Sequence, residues 1–400
     1  HSHTGYSDGT GTPAEAFAYA RDVAHLDFMA VTEHNHAAAD GGGERNDDVT
    51  IAARPELYDG AQSDSLVSAA RAATRNGKFV ALYGQEFSTI STGNHVNVFD
   101  VRGVIDAGNG QFRELVEAWL PVHPDSTSTL QLIQLNHPFA MGPSDVGPPA
   151  SGESARTRNA RMEYGADDFG TRDAWVAALD PYAELIEVFS GPALKNGGPG
   201  LEPSDTCDHQ YLKYLNLGFH LAPTANQDNH HRTWGTITDA RTGVIAPSLT
   251  KASLLAALKA RHAYATLDKN LRFIAHVMIG GQKHLLGDIV PPPTPGTAFE
   301  IQYELSDDDE PTVSYDIDVY SDVIGGPDVA VPVLSLNRSG NTPPSGARIQ
   351  GLSVDGPRRY FLLKVTQRPE HGSRDVLWTA PVWFDGPATQ GSASTRASRR

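Results

Sequence analysis

The chain has 400 residues, 39% of them hydrophobic and 20% charged, which is the profile of a soluble globular protein with room for more than one domain. Its net charge of −16 excludes a tightly held polyanion such as DNA or RNA, which needs clustered Lys and Arg; a small phosphate ester stays open, because bound metal ions can supply local positive charge. No apolar run is long enough to span a bilayer, and the single cysteine, Cys207, rules out an intrachain disulfide.

The chain opens His1-Ser2-His3. Residues i and i+2 of a strand share a face, so two imidazoles here can grip one metal from the same side. Asp8 follows in the turn Ser7-Asp8-Gly9. A helix is predicted over 13–24, with Pro13 at its start. The apolar run Phe28 to Val31 leads into Thr32-Glu33-His34-Asn35. Residues 38–59, rich in Gly, Asp and Arg, read as an inserted loop. A helix over 65–75 precedes the run Phe79 to Leu82, which continues through Tyr83-Gly84-Gln85 to Glu86. His95 sits in Gly93-Asn94-His95-Val96-Asn97.

Farther on, the strand Leu132 to Leu135 is followed by Asn136 and His137. Residues 140–172 read as a second inserted loop, placed to act as a lid or a substrate contact. The strand Leu185 to Val188 contains Glu187, to which no ligand role is assigned. Cys207 lies between Asp205 and Asp208, acidic neighbours that disfavour a reactive thiolate. The apolar stretch Phe219 to Ala222 leads to Gln227-Asp228-Asn229-His230. A helix is predicted over 253–260, with Ser253 as its cap.

Strands alternating with helices point to βα units and a parallel sheet or barrel, in which chemistry gathers beyond the carboxyl ends of the strands. Beyond residue 270 the rhythm changes. Residues 273–278, 299–305, 314–320, 360–365 and 376–384 read as strands between Gly- and Pro-rich turns, the pattern of a small β-sandwich. The expected organisation is an α/β domain over 1–270, a sandwich over 271–386 and a disordered tail over 387–400.

Taken singly, each His, Asp or Glu above also reads as a surface residue, a salt-bridge partner or a helix cap. Jointly they end six strands or adjoining turns. Mixed imidazole and carboxylate donors suit Zn, Mn or Fe(II). Two or three such ions need about this many ligands, because a carboxylate can bridge two of them. The Gly-x-Ser-x-Gly of serine hydrolases does not occur.

The succession His1-Ser2-His3, Asp8, Thr32-Glu33-His34-Asn35, Gly84-Gln85-Glu86, His95, His137 and Asp228-Asn229-His230 resembles the motifs of the PHP (polymerase and histidinol phosphatase) superfamily. Trp234, Arg241-Thr242-Gly243 and Arg261-His262-Ala263-Tyr264 point within it to metallohydrolases of the CehA/McbA type. The second motif departs in carrying Glu33 where Asp is commoner. The family normally has a strand before its His-x-His pair, so the chain is expected to be trimmed ahead of His1. The rival for His1, copper bound through a free amine and ring, would leave the other donors without a purpose.

The resemblance covers about the first 270 residues and implies a distorted seven-stranded (β/α) barrel with a trinuclear site. His1, His3, Glu86 and Asp228 would hold the first metal. Glu86 would bridge to a second held by His95 and His137. Asp8, His34 and His230 would hold the third and count as catalytic. It further implies ester hydrolysis by metal-activated water, of phosphomonoesters or phosphodiesters, or else of carbamates or carboxylic esters.

Arg232 and Arg241 are candidates for pairing with a substrate phosphate. His36 and His231 are candidates for protonating the leaving group. A metal-stapled binding module is the alternative outside enzymes. The expected partner is a small, phosphorylated ester, with no nucleic acid and no membrane span. Secretion or a periplasmic location is expected from the appended sandwich and the lone cysteine.

Overall fold

The computed structural model describes residues 1–36, 51, 53–87, 94–108, 110–122, 132–138, 163–193, 195, 199–326, 330–356, 359–368 and 374–386. Most of the two expected inserted loops and the whole expected tail lie outside these residues. The architecture is mixed α/β: a curled half-barrel sheet with few helices, followed by antiparallel sheets. Among the described residues no helix is long and apolar enough to cross a membrane.

Seven strands make the half-barrel: β1 (Phe28–His34), β2 (Val80–Phe87), β3 (Val96–Phe99), β4 (Leu132–Leu135), β5 (Ala183–Ser190), β6 (Asp205–Thr206) and β7 (Ala222–Ala225). They run in the order β1-β2-β3-β4-β5, with β6 and β7 both on β5. The expectation of a parallel sheet holds for β1–β2, β4–β5 and β5–β7. It fails at β3, which pairs antiparallel with both β2 and β4. The chain doubles back after Glu86, so the intervening segment serves as a strand rather than a crossover helix. No pairing joins β1 to β7 among the described residues. Only the opening residues link them: Ser2 bridges Asn229, and the Thr32 amide donates to the Ser2 carbonyl at 2.9 Å.

Local chemistry explains the helices that form. Pro13–Asp22 starts with a capping box, in which Thr12 and Glu15 satisfy each other's backbone N–H. Leu66–Ala73 is capped by Ser65 and buries Leu66, Val67, Ala69 and Ala70. The last helix of this part begins at Lys251, with Thr250 as its cap. Ser253 was expected there, but its backbone N–H instead donates to Thr250 Oγ1 at 3.2 Å. Gly84 has a geometric reason. A Cβ there would lie 2.7 Å from the Val98 carbonyl, so β3 could not pass this close beside Glu86.

The remaining strands are β8 (Arg241–Val244), β9 (Ala263–Thr266), β10 (Arg272–Ile279), β11 (Gln282–Leu285), β12 (Thr297–Ser306), β13 (Ser314–Val323), β14 (Val331–Ser339), β15 (Ala347–Val354), β16 (Arg359–Arg368), β17 (Val376–Thr379) and β18 (Val382–Phe384). One sheet runs β11-β10-β12-β15. The other runs β14-β13-β16-β17-β9-β8, with β18 also on β16. Alternating side chains of the two faces fill a common core, among them Phe273, Val277 and Ile301 from one sheet and Ile317, Val319 and Leu363 from the other.

The two parts are welded together. β8 and β9, from before residue 270, belong to the second sheet through β17. Trp378 and Trp383 share a core with Trp175, Tyr211 and Phe219 of the half-barrel side. His220 closes the weld: its Nδ1 lies 2.9 Å from Asp180 and its Nε2 3.2 Å from Asp385. Those two carboxylates outweigh the burial that disfavours its charge and push its pKa up to about 9.

Candidate metal centre

All nine expected ligands meet at the carboxyl ends of the half-barrel strands. His1 and His3 arrive on the opening segment, His34 ends β1, Glu86 stands near the end of β2, and His95 precedes β3. His137 follows β4, and Asp228 and His230 follow β7. Asp8 comes from the turn after His3.

Three overlapping groups place donor atoms within 4.8 Å of one another: His1, His3, Glu86 and Asp228; His34, Glu86 and His95; and His3, Asp8, His34 and His230. His137 joins through its Nε2, 3.2 Å from Glu86 Oε1. A neutral imidazole offers one lone pair. His34, with Nδ1 3.2 Å from Glu86 and Nε2 3.8 Å from Asp8, therefore serves one group at a time, and so does His3.

The close approaches centre on Glu86. His1 Nε2 and His3 Nε2 each lie 3.1 Å from it, and both also lie 3.1 Å from Asp228 Oδ1. His95 Nδ1 is 3.0 Å away. Yet Glu86 Oε2, Asp228 Oδ1, His34 Nδ1 and His95 Nε2 are buried without a hydrogen bond. Neighbouring ligands of a tetrahedral ion with bonds of about 2.0–2.2 Å lie ~3.4 Å apart, close to the spacing here. The donor set therefore fits divalent ions of the zinc, manganese or iron(II) type.

Surrounding residues aim the donors. Glu187 Oε1 accepts from His1 Nδ1 at 2.7 Å, which leaves His1 Nε2 facing Glu86 and Asp228. His230 Nδ1 donates to the Asp228 carbonyl at 2.7 Å, which turns its Nε2 to Asp8 at 3.1 Å. Asn136 Nδ2 donates to Glu86 at 2.9 Å, and Trp234 Nε1 to the His3 carbonyl at 3.1 Å. Glu33 is fully buried and is no ligand. Its carboxylate accepts from the Thr4 amide at 3.1 Å and from the hydroxyls of Thr4 and Ser7, and so shapes the turn that delivers Asp8.

Two of the nine sit on strained backbone, His137 at φ 29° and Asp228 at φ 48°. Such conformations cost about 1–3 kcal/mol for a side chain other than glycine. Both amides are tied down, His137 N to Glu187 Oε2 at 2.6 Å and Asp228 N to the His1 carbonyl at 3.1 Å. Glu187 thus orients one candidate ligand through its ring and another through its backbone.

Burial and the neighbouring charges pull the titrating groups of the cluster in different directions. Burial disfavours a charged His3 ring, but the adjoining Asp228 and Glu86 carboxylates raise it to about 10. At His1 the same burial is outweighed by Glu86, Asp228 and Glu187. Glu86 and Asp228 are held well below the usual carboxylate range, burial being overcome by His1 together with His34 at Glu86 and His230 at Asp228. Burial takes His34 the other way, down to about 3, with His3 and His95 adding to it. Carboxylates kept ionised in a buried pocket call for compensating charge, which cations can supply in place of protons.

The arginines are not brought to the cluster. Arg232 is 61% exposed and pairs with Glu15 at 2.9 Å. Arg241 donates to the carbonyls of Gly235, Thr238 and Ala240. It lines a cavity of about 650 Å³ that reaches His1 but otherwise runs along Phe28, Leu82 and Leu185, at the amino-terminal halves of the strands. Within the cluster, Asp228 and His137 keep 16% and 13% of their side chains exposed. His36 packs edge-on against Phe87, and the His231 amide is held by Asn229. Cys207 is buried, and burial pushes its thiol up to about 12.

Glu33, noted in the sequence only as a departure from the motif, and Glu187, given no ligand role there, are the carboxylates whose orienting contacts the structure adds. A signal was present for Glu187. A carboxylate inside a strand whose every residue is buried needs partners, and a candidate ligand is a natural one. No protein-family model matches the chain, and no curated protein matches it.

Proposed function

We propose that the chain is a metal-dependent hydrolase of the PHP type, close to the CehA/McbA branch, acting on phosphoric esters. The observation that carries the reading is the gathering of imidazole nitrogens and carboxylate oxygens from nine separated positions, four of those atoms (Glu86 Oε2, Asp228 Oδ1, His34 Nδ1 and His95 Nε2) being buried without a hydrogen bond. His1, His3, Glu86 and Asp228 would hold one ion, Glu86, His95 and His137 a second, and Asp8, His34 and His230 a third. Bound divalent ions would acidify water to a nucleophile near neutral pH and neutralise charge on the phosphoryl oxygens. The chain's own part is to orient. Glu187 and the Asp228 carbonyl fix which nitrogen of His1 and of His230 faces the cluster. The partly exposed Asp228 and His137 mark the side from which substrate approaches.

A second reading is hydrolysis of carboxylic or carbamate esters at the same residues. It is favoured by one observation: among the described residues no arginine faces the cluster. The test is a substrate panel on protein loaded with Zn, Mn or Fe(II): p-nitrophenyl phosphate, bis-p-nitrophenyl phosphate and p-nitrophenyl acetate. We expect turnover of a phosphate ester that chelation abolishes and metal restores. Turnover of the acetate alone selects the second reading, and full activity after exhaustive chelation overturns both.

A further inference from the structure

Strand β4 carries a buried polar side chain that no motif contains. Its residues alternate: Ile133 and Leu135 enter the core that holds Trp175 and Phe219, whereas Leu132 packs with Leu82 and Leu185 on the other face. Gln134 shares the face of Leu132 and is 2% exposed. A buried amide costs stability unless its hydrogen bonds are made, and an apolar side chain of similar length escapes that cost.

Gln134 is fully partnered. Its Nε2 donates to Asn136 Oδ1 at 2.9 Å and to Glu187 Oε1 at 3.4 Å. Its Oε1 has two donors in reach, Thr224 Oγ1 at 3.1 Å and Asn226 Nδ2 at 3.3 Å. An amide has two protons to give and two lone pairs to fill, and each has a partner here. Asn226 Nδ2 also donates to Thr224 Oγ1 at 2.9 Å, so the pair braces Gln134 from the β7 side.

The direction of this network is set from the Glu86 end. An ionised carboxylate only accepts, so Asn136 has to turn its Nδ2 to Glu86, at 2.9 Å. Asn136 Oδ1 then needs a donor, which Gln134 Nε2 supplies. A reversed Gln134 amide would set its oxygen against both Asn136 Oδ1 and the Glu187 carboxylate. The two residues it holds are themselves orienters: Asn136 holds Glu86, and Glu187 holds the His1 ring at 2.7 Å and the His137 amide at 2.6 Å.

We propose that Gln134 is a positioning residue of the candidate metal centre, locking Asn136 and Glu187 so that Glu86, His1 and His137 present their donor atoms together. The proposal rests on reading those side chains as metal ligands. Gln134 acts through others: its hydrogen bonds run to Asn136, Glu187, Thr224 and Asn226, none of them among the nine candidate ligands.

The test is a titration of the metal-stripped full chain with Co2+, whose visible absorption reports the arrangement of its ligands. Gln134→Met keeps the length and loses the amide. We expect it to weaken Co2+ binding about tenfold or more and to change the spectrum, while the metal-free protein melts as the parent does. Gln134→Glu, which sets a second carboxyl against Glu187, should weaken binding further. In an Asn136→Ala background Gln134→Met should cost less than in the parent, because the two residues act through one contact. In metal-free protein labelled with 15N-asparagine, the Asn136 side-chain protons should exchange with water faster in Gln134→Met than in the parent. A parent that takes up no Co2+ overturns the metal reading, and the exchange measurement then still decides whether Gln134 locks Asn136. Unchanged affinity in both variants, affinity that falls only as the melting temperature falls, an undiminished cost in the Asn136→Ala background, or equal exchange rates overturns the proposal.

Discussion

The half-barrel and the sandwich bury opposite things. Strands β10 and β12 alternate, and their inward side chains are apolar. Strands β2 and β5 are buried along their whole length and still carry Glu86, Glu184 and Glu187. An apolar core contributes stability in proportion to the area taken from water. A buried charge costs stability unless its partners are complete. One region of the molecule is thus organised around an apolar core, and the other gathers buried charges in clusters that could hold metal ions.

The sharpest way to break that comparison is a pair of substitutions. Glu86→Gln keeps volume and removes the carboxylate on which five histidines converge. We expect loss of at least one bound ion per chain and a fall in hydrolysis of roughly 10³-fold or more, with little loss of stability. Leu363→Ala, in the sandwich core, should do the reverse: about 2–5 kcal/mol of unfolding free energy lost, with metal content unchanged. Elemental analysis and urea unfolding on both proteins decide. If Glu86→Gln unfolds the protein and keeps its ions, the division of roles is wrong.

Next comes the weld. The folded-state pKa of His220 is raised to about 9, above the ordinary imidazole value of 6.5. A raised pKa means that the stabilisation is fully present below pH 6.5 and is lost as pH climbs through 9. Its size is on the order of 3 kcal/mol. Urea midpoints at pH 6 and pH 9.5 should therefore fall more in the parent than in His220→Asn. Equal falls would detach His220 from the joining of the two parts.

The smallest effect expected is at Glu187. In Glu187→Gln the amide can no longer accept as an anion from His1 Nδ1 and the His137 amide. Metal affinity should drop about 10- to 100-fold, the usual loss when a ligand's orienting partner is changed. Competition with a chromogenic chelator measures it. An unchanged affinity would make Glu187 a merely structural buried acid.

Much of the fold was legible where periodicity is local. β10, β12, β13 and β16 fall where alternation placed them, within a few residues at each end. The stretch 376–384 reads as one strand, but it is two, because Pro381 has no N–H for the ladder. β14 was missed for a related reason. Pro332 demotes it in a sequence reading, while the structure makes it an edge strand, where proline is tolerated. β3 escaped because four residues carry too little pattern, and its antiparallel direction depends on partners on both sides.

What the amino-acid sequence determined on its own is the supply of donors and their places at the ends of apolar runs, since both are local properties of a few adjacent residues. Tertiary structure alone decided which donors face one another. It set His34 between two groups, turned Arg232 out to Glu15, and enlisted Glu187 to aim His1. Each of those facts depends on groups many residues apart meeting at hydrogen-bond distance. Packing of whole sheets sets such meetings, and no local spacing encodes them.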